Sequence, residues 1–415
     1  MKTSNGEPLE IKPDVYWVGA LHPELRVFDD LFPTERGTTY NSYLVKGSEK
    51  VAIIDTVKGK FKEDYLRKVS ELVDPSRIDY YVVNHTEPDH SGALSTMLAR
   101  SPQATVVCTP TAATFLRNQI DFPLMTQTVK DGDVLDLGGK HLRFFIAPFL
   151  HWPDTMFTLL EEQRVLFTCD AFGSHYCSEH MFSDEIPDLI PEMRLYFDCI
   201  MRPFKDKVLS AIEKIRNEKI DVICPSHGPV WRKDPMQAVA LYERWSQSPE
   251  SEISVGEPML AKVVILYLSP HGNTCKMSEA VAVGAALPGV EVIRRHIDEL
   301  SSTQERDLME QADALVFGIP TINRDIPKPM WEVLADLSSV KLKTSIGGVF
   351  GSYGWSGEAC KMAEERLKGL RFKLPAASVR APFTPNPGVL AQCQALGKAV
   401  AEEALRAVRP GSGRA

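Results

Sequence analysis

The chain has 415 residues, with 47 Lys and Arg against 55 Asp and Glu and a formal net charge of -8. That balance argues against nucleic acid as a main partner, and the length is long for a single core, so two domains are expected. The eight cysteines (Cys108, Cys169, Cys177, Cys199, Cys224, Cys275, Cys360 and Cys393) include no Cys-x-x-Cys pair; this argues against a zinc ribbon or a rubredoxin-type iron site and reads as reduced thiols of a cytoplasmic protein.

The opening stretch, Met1 to Asp14, is polar and lacks the apolar core of a signal peptide. No apolar run approaches the length of a membrane span. From there to about residue 250, short apolar strands alternate with helices. Tyr43 to Val45 and Val51 to Asp55 read as strands joined by the turn Gly47 to Lys50, and Phe61 to Leu72 as a helix. The β-prone run Tyr80 to Val83 then empties into His85, Glu87, Asp89 and His90, four metal-type ligands within six residues. Pro88 is expected to rule out a regular helix and to leave the four on a loop at a strand end, where a rigid strand positions chemistry. Two carboxylates and two imidazoles so crowded make sense around a divalent cation that offsets their repulsion and desolvation. The bland alternative is a polar surface loop.

A helix from Gly92 to Arg100, a strand from Ala104 to Cys108 and a helix from Thr111 to Asn118 follow. Three more strands end as the first did. Leu142 to Ala147 leads to His151, Val165 to Thr168 to Asp170, and Val222 to Cys224 to His227. One histidine after a strand is more often a satisfied polar residue than a ligand. Four strand ends carrying His or Asp reverse that, because strand ends along one edge of a sheet converge in space.

Ser246 to Pro258 is rich in Ser, Glu and Pro and reads as an interdomain linker. The division expected is residues 1–248, a linker at 249–260, and a second domain at 261–408. In the second domain Lys262 to Leu268 is a buried-type strand entering Ser269-Pro270-His271-Gly272-Asn273-Thr274, with a helix through about Ala286. Hydroxyls and glycine between a strand and a helix N-terminus suit a phosphate, with Ser269 and Thr274 donating hydrogen bonds, although the same residues also cap helices that bind nothing. Strand Ala314 to Gly318 ends in Ile319, Pro320, Thr321, Ile322 and Asn323. Strand Ser345 to Phe350 ends in the loop Gly351, Ser352, Tyr353, Gly354, Trp355, Ser356, Gly357. Ligands of open parallel sheets sit at such carboxyl ends. Aromatic faces beside exposed amides suit a planar, phosphate-bearing ring, a flavin mononucleotide (FMN). A last helix is expected from about Val389 to Arg406.

At this point the chain resembles the flavodiiron proteins, or A-type flavoproteins, over essentially residues 10 to 405. The resemblance rests on His85-x-Glu87-x-Asp89-His90 followed by His151, Asp170 and His227, with the flanks Leu150-His151-Trp152-Pro153-Asp154, Asp170-Ala171-Phe172-Gly173 and Ser226-His227-Gly228. It implies an α/β chain: a metallo-β-lactamase-like αββα sandwich followed by a flavodoxin-like doubly wound parallel sheet. By the same resemblance His85, Glu87 and His151 bind one iron, Asp89 and His227 the other, and Asp170 bridges them. His90, which turns away from the metal in some members, completes the candidate set. Related hydrolases commonly carry His where Glu87 stands and hold zinc; a carboxylate there suits non-haem iron. The first phosphate loop departs from the family pattern at Leu268 and His271, and the second at Ile319.

The implied activity is reduction of dioxygen to water or of nitric oxide to nitrous oxide. Electrons pass from an external donor, a rubredoxin or reduced deazaflavin, through FMN to the diiron site of the partner in a head-to-tail homodimer or dimer of dimers. His22, Trp152, His175 and Tyr196 are candidates for the pocket wall. With no Cys-rich module and no further domain after Ala415, the chain resembles the simplest two-domain class. Two other readings stay open: a dinuclear zinc hydrolase fused to a flavodoxin electron carrier, and a carrier whose first domain is only structural.

Overall fold

The computed structural model describes residues 7–29, 32–247 and 261–408. Contacts divide the chain into two units, Met1–Pro249 and Glu250–Ala415. The expected linker at 249–260 lies outside the described residues.

The first unit holds two facing sheets. The seven-stranded sheet runs, in spatial order, β1 (Leu9–Lys12), β2 (Val15–Trp17), β3 (Tyr43–Lys46), β4 (Val51–Ile54), β5 (Tyr80–Val83), β6 (Thr105–Cys108) and β7 (Thr126–Thr128). The five-stranded sheet runs β8 (Val134–Asp136), β9 (His141–Ile146), β10 (Met156–Leu160), β11 (Val165–Cys169) and β12 (Val222–Pro225). Alternation along each strand sets the layers. In β5, Val82 enters the core between the sheets, while Tyr81 and Val83 face the helices α1 (Lys62–Leu72), α3 (Leu94–Leu98) and α4 (Pro110–Gln119). In β11, Val165 and Phe167 face inward. Leu166 meets the outer layer built by α5 (Leu189–Tyr196), α6 (Lys205–Ile215) and α7 (Pro235–Ser246). The result is the αββα sandwich that the resemblance implied.

Two expectations are corrected. Pro88 does not exclude a helix: it starts one. Residues Pro88–Ser91 form the single turn α2, with Pro88 in the first turn, where the missing amide costs nothing. The helix expected from Gly92 to Arg100 is confined to Leu94–Leu98.

The second unit is a five-stranded sheet of order β14 (Val290–His296), β13 (Ala261–Tyr267), β15 (Ala314–Gly318), β16 (Gly347–Tyr353), β17 (Val379–Pro382), with all neighbours parallel. This 2-1-3-4-5 order is that of flavodoxin, with the switch point between β13 and β15. Helices α9 (Ser302–Gln311), α10 (Lys328–Asp336) and α11 (Glu358–Gly369) cover one face. Helices α8 (Asn273–Ala285) and α12 (Pro387–Val408) cover the other. The last two pack backbone to backbone: a Cβ at Gly284 would overlap the Gln394 carbonyl, and one at Gly397 the Val281 carbonyl. The third strand is longer than expected. Gly351, Ser352 and Tyr353 continue β16, because they pair with Arg380, Ala381 and Pro382 of β17.

Glu305 on α9 is a misfit in this unit. Its Oε1 is buried without a hydrogen-bond partner, and burial, followed by the Asp336 charge, pushes its carboxyl up to about 7. The native state therefore holds a proton that the unfolded chain releases, and stability falls as pH rises from about 4.5 to about 7. Glu305→Gln is expected to be more stable than the parent at pH 8 by on the order of 2 kcal/mol, and equal to it near pH 4. Urea unfolding at the two pH values checks this.

Candidate metal centre and flavin site

The ligand-type residues of the first unit come from both sheets, not from one edge. His85 follows β5 of the seven-stranded sheet, and Asp89 and His90 stand on α2 just beyond it. His151, Asp170 and His227 follow β9, β11 and β12 of the other sheet. The sandwich brings the two sets of strand ends together. The turns there are tight: Asp55, Phe149, Cys169 and Phe172 have φ of 53°, 66°, 50° and 66°. Non-glycine residues in this region are strained and held by their surroundings, as occurs around functional sites.

Asp170 is the centre of the arrangement. Its Oδ2 lies 3.7 Å from His85 Nε2 and 3.7 Å from His151 Nε2. Those two nitrogens also flank Glu87 Oε2, at 3.1 and 2.9 Å. Its Oδ1 lies 3.1 Å from His90 Nε2 and 3.5 Å from His227 Nε2. These in turn approach the two oxygens of Asp89, at 3.3 and 3.1 Å. All seven predicted ligand residues thus meet, in two groups on either side of one carboxylate. Asp89 Oδ1 and Oδ2, His90 Nε2 and Asp170 Oδ2 are buried yet make no hydrogen bond of acceptable geometry. Buried polar atoms are normally satisfied, so a cation between these groups supplies what the protein does not, and the residues fit a dinuclear site.

The charges agree with this. Burial alone would raise the Asp170 carboxyl, but His90, His85 and His227 hold it well below the usual range. Glu87 is lowered against its own burial by His151 and His85. Burial would lower His85, but hydrogen bonds to Asp154 and Glu87 lift it to about 9. Asp170 and Glu87 are thus stabilised as carboxylates by positive charge beside them, the part that a metal ion takes over on binding.

Residues without an obvious sequence signal support this shell. Asp154, wholly buried, places Oδ1 3.2 Å from His85 Nδ1, while its Oδ2 accepts from the Thr86 amide and hydroxyl at 2.8 Å each. The Thr39 carbonyl lies 2.6 Å from His227 Nδ1. Both contacts put a proton on Nδ1 and leave Nε2 as the donor atom toward the site. Asp29 is a further carboxyl hydrogen-bonded to Glu87; burial, then Glu87 and Asp89, push it up to about 6. Of the expected wall residues, Tyr196 donates its hydroxyl to Asp170 Oδ1 at 3.1 Å. Trp152 stands edge-on to His85 at 5.0 Å between ring centres. His175 packs 4.8 Å from Tyr196 and 5.3 Å from His227. His22 meets the Tyr40 hydroxyl at 3.3 Å.

In the second unit the expected loops leave β13, β15 and β16 at their carboxyl ends. Ser269 Oγ accepts from the Cys275 amide at 2.9 Å and so caps α8. Thr274 is buried, with its hydroxyl 2.8 Å from that of Ser352. Gly272 turns the chain into α8 at φ 79°, and a Cβ there would meet nothing within 4 Å. His271, Asn273 and that glycine thus border an open cradle at a helix N-terminus, where the first amides lack intrahelical partners. Thr321 links the next two loops: its amide donates to the Ser352 carbonyl at 2.9 Å, and its hydroxyl accepts from the Ala359 amide at 3.4 Å. Pro320 precedes it, and Ile322 and Asn323 turn away from the strand, Asn323 at φ 52°. Beyond β16, Gly357 makes room for the Tyr353 ring, which a Cβ would meet at 2.9 Å. Between Gly354 and Ser356, Trp355 is 76 % exposed. An open cradle beside uncovered aromatic faces fits a phosphate-bearing planar ring.

A metallo-β-lactamase-like unit with a dinuclear ligand set, followed by a flavodoxin-like unit, defines a class of two-part redox proteins. The profile of the ODP family of beta lactamases matches residues 38–228, and that of the flavodoxins matches residues 265–397. The type A flavoprotein fprA of Rhodobacter capsulatus is 40 % identical over 399 residues, 95 % of this chain and 91 % of that one. The nitric oxide reductase of Moorella thermoacetica is 37 % identical, over 95 % and 98 % of the two chains. The solved structure of rubredoxin oxygen:oxidoreductase from Desulfovibrio gigas superposes with a TM-score of 0.70 at 30 % identity, over 96 % and 99 %. The chain belongs to the type A flavoproteins, the flavodiiron family.

Proposed function

We propose that the chain is an FMN- and diiron-dependent reductase of dioxygen to water, of nitric oxide to nitrous oxide, or of both. The observation that carries this is Asp170, whose two oxygens face two separate groups of metal-type ligands. His85, Glu87 and His151 would hold one iron and Asp89 and His227 the other, with Asp170 between the two groups and His90 on the second side. Glu87, as a hard anionic donor, favours iron over the zinc of related hydrolases. Bound, the two irons supply electrons and open positions for the diatomic substrate, and the flavin resupplies the electrons. The protein's own part is geometric. Asp154 and the Thr39 carbonyl fix the His85 and His227 rings, the Tyr196 hydroxyl holds Asp170, and apolar rings pack against the two imidazoles: Trp152 lies 5.0 Å from His85, and Phe28 and Tyr40 lie 5.3 and 5.7 Å from His227 between ring centres.

Ser269, His271, Gly272, Asn273 and Thr274 receive the FMN phosphate; residues 320–323 and 352–357 frame the ring. The functional division is residues 1–248, linker 249–260, and 261–408. Electrons come from an external donor, a rubredoxin or a reduced deazaflavin. The flavin of one subunit serves the diiron site of its partner in a head-to-tail homodimer or dimer of dimers in the cytoplasm. The names of the Moorella and Desulfovibrio proteins support the two substrates and the donor. No helix among the described residues is long and apolar enough to cross a membrane.

The test is metal and flavin analysis followed by anaerobic turnover, with a rubredoxin system as reductant and each gas supplied separately. Two irons and one FMN per chain, with consumption of either gas, are expected. Zinc in place of iron, or a flavin that reduces without gas uptake, would overturn the proposal in favour of a hydrolase or an electron carrier.

A further inference from the structure

The first phosphate loop is held by a residue that its own sequence does not contain. β13 and β14 run parallel and in register to their last residues, Tyr267 opposite His296. Beyond Tyr267 the chain leaves the sheet. The Leu268 amide turns to the other side and donates to the Gly318 carbonyl of β15 at 3.0 Å. The next amide, Ser269, turns back toward β14, where the backbone ladder has ended. There the His296 side chain takes the place of a carbonyl, and Ser269 N–H donates to its Nε2 at 3.1 Å.

The tautomer follows from the same contacts. Two backbone amides point at the ring: Ser269 N–H at Nε2, and Asp298 N–H at Nδ1, 3.3 Å away, with the Asp298 carboxylate 3.7 Å from the same nitrogen. A neutral imidazole accepts at one nitrogen only. The Ser269 contact is shorter and partly buried, whereas the Asp298 amide is exposed and can bond water instead; with the Asp298 carboxylate beside Nδ1, this favours Nε2 as the acceptor and the proton on Nδ1. The Tyr267 ring, edge-on at 5.1 Å, limits the swing of the imidazole. Ser269 is thereby fixed at two points: its amide by His296, and its hydroxyl oxygen by the Cys275 amide at 2.9 Å. The Ser269 O–H proton, uncommitted by that capping bond, is free to point into the cradle.

We propose that His296 is a positioning residue of the FMN phosphate site. Its Nε2 acts as a surrogate ladder acceptor that commits the Ser269 amide and aims the Ser269 hydroxyl at the phosphate. This rests on the flavin reading given above. Two consequences separate it from a merely structural role. Glutamine, whose Oε1 reaches about as far as Nε2, restores the function, whereas leucine does not. The effect falls on the phosphate alone, so riboflavin, which lacks one, is indifferent to the substitution.

The experiment uses the full chain, stripped of flavin and titrated with FMN and with riboflavin by quenching of flavin fluorescence. His296→Leu is expected to bind FMN about tenfold more weakly, the scale of one lost hydrogen bond. His296→Gln is expected within about threefold of the parent, and riboflavin affinity is expected unchanged in both. Hydrogen exchange of the Ser269 amide, read by NMR on the flavin-loaded full chain, gives an independent measure: protected in the parent and in His296→Gln, fast in His296→Leu. Equal FMN affinity in the parent and His296→Leu would overturn the inference. So would a glutamine variant no better than the leucine one, or a parallel loss of riboflavin binding. A parent chain that binds riboflavin and FMN equally, or neither, would overturn the flavin reading itself and the inference with it.

Discussion

Asp170→Asn is expected to leave less than half of the parent's iron per chain and to lower turnover about a thousandfold, the scale set by removing one partner of a buried charge cluster. The substitution keeps the shape of the side chain and can still accept the Tyr196 hydroxyl, which lies 3.1 Å from Oδ1. It removes one negative charge from a site whose proposed anionic ligands are Glu87, Asp89 and Asp170. Two divalent ions then face two carboxylates instead of three. It also replaces an oxygen by an amide N–H₂, so one of the two groups of nitrogens, at 3.7 Å from Oδ2 or at 3.1 and 3.5 Å from Oδ1, faces a donor instead of an acceptor. An amide cannot bridge through both atoms. One ion is therefore expected to be lost first and the second to bind more weakly. Iron content by mass spectrometry and gas consumption check this, with circular dichroism to confirm the fold. A variant that retains two irons and turnover would show that Asp170 does not bridge.

The candidate ligands stand out in the sequence because they cluster. Four of them lie within His85 to His90, and the other three each follow an apolar run whose end is plain. What it did not show was where those runs sit. The strand before His85 belongs to one sheet and the strands before His151, Asp170 and His227 to another, since alternation along a strand reveals a buried face but not the partner across it. Pro88 was misleading for a related reason: a proline forbids a helix interior but favours a helix start, and only the following three residues decide which applies. The strand β16 runs past Phe350 because pairing with β17 overrides the loop propensity of Gly351 and Ser352. Asp154 and His296 were legible as residues but not as roles. Each acts on a group far away or one turn removed, and nothing in its own neighbourhood requires it.

Asp154→Ala is the second change with a large expected effect, and it acts without touching a metal. Asp154 is wholly buried, and three donors converge on its two oxygens: the Thr86 amide and hydroxyl at 2.8 Å each and His85 Nδ1 at 3.2 Å. Burial would raise its carboxyl, but the His85 and Thr86 hydrogen bonds hold it below the usual range. A carboxylate held below its unfolded value contributes stability that is present above about pH 4 and is lost as pH falls further. Alanine removes that contribution and leaves the Thr86 amide buried without an acceptor, a loss of about 3 kcal/mol. The effect on the metal is separate. Without Oδ1 the His85 ring can flip or take the other tautomer, and Nε2 is no longer reserved for the site. Iron affinity is expected to fall by about 10- to 100-fold, the range for a lost partner of a metal-bound histidine. Asp154→Asn distinguishes the two effects. Its Oδ1 can still accept from His85 Nδ1, but its N–H₂ opposes the Thr86 donors, so it is expected to recover most of the iron affinity and little of the stability. Competitive chelator titration and chemical denaturation at neutral pH measure the two quantities independently. If both variants lose iron in proportion to stability alone, then Asp154 merely holds the turn at Thr86 and the ring of His85 is fixed by other contacts.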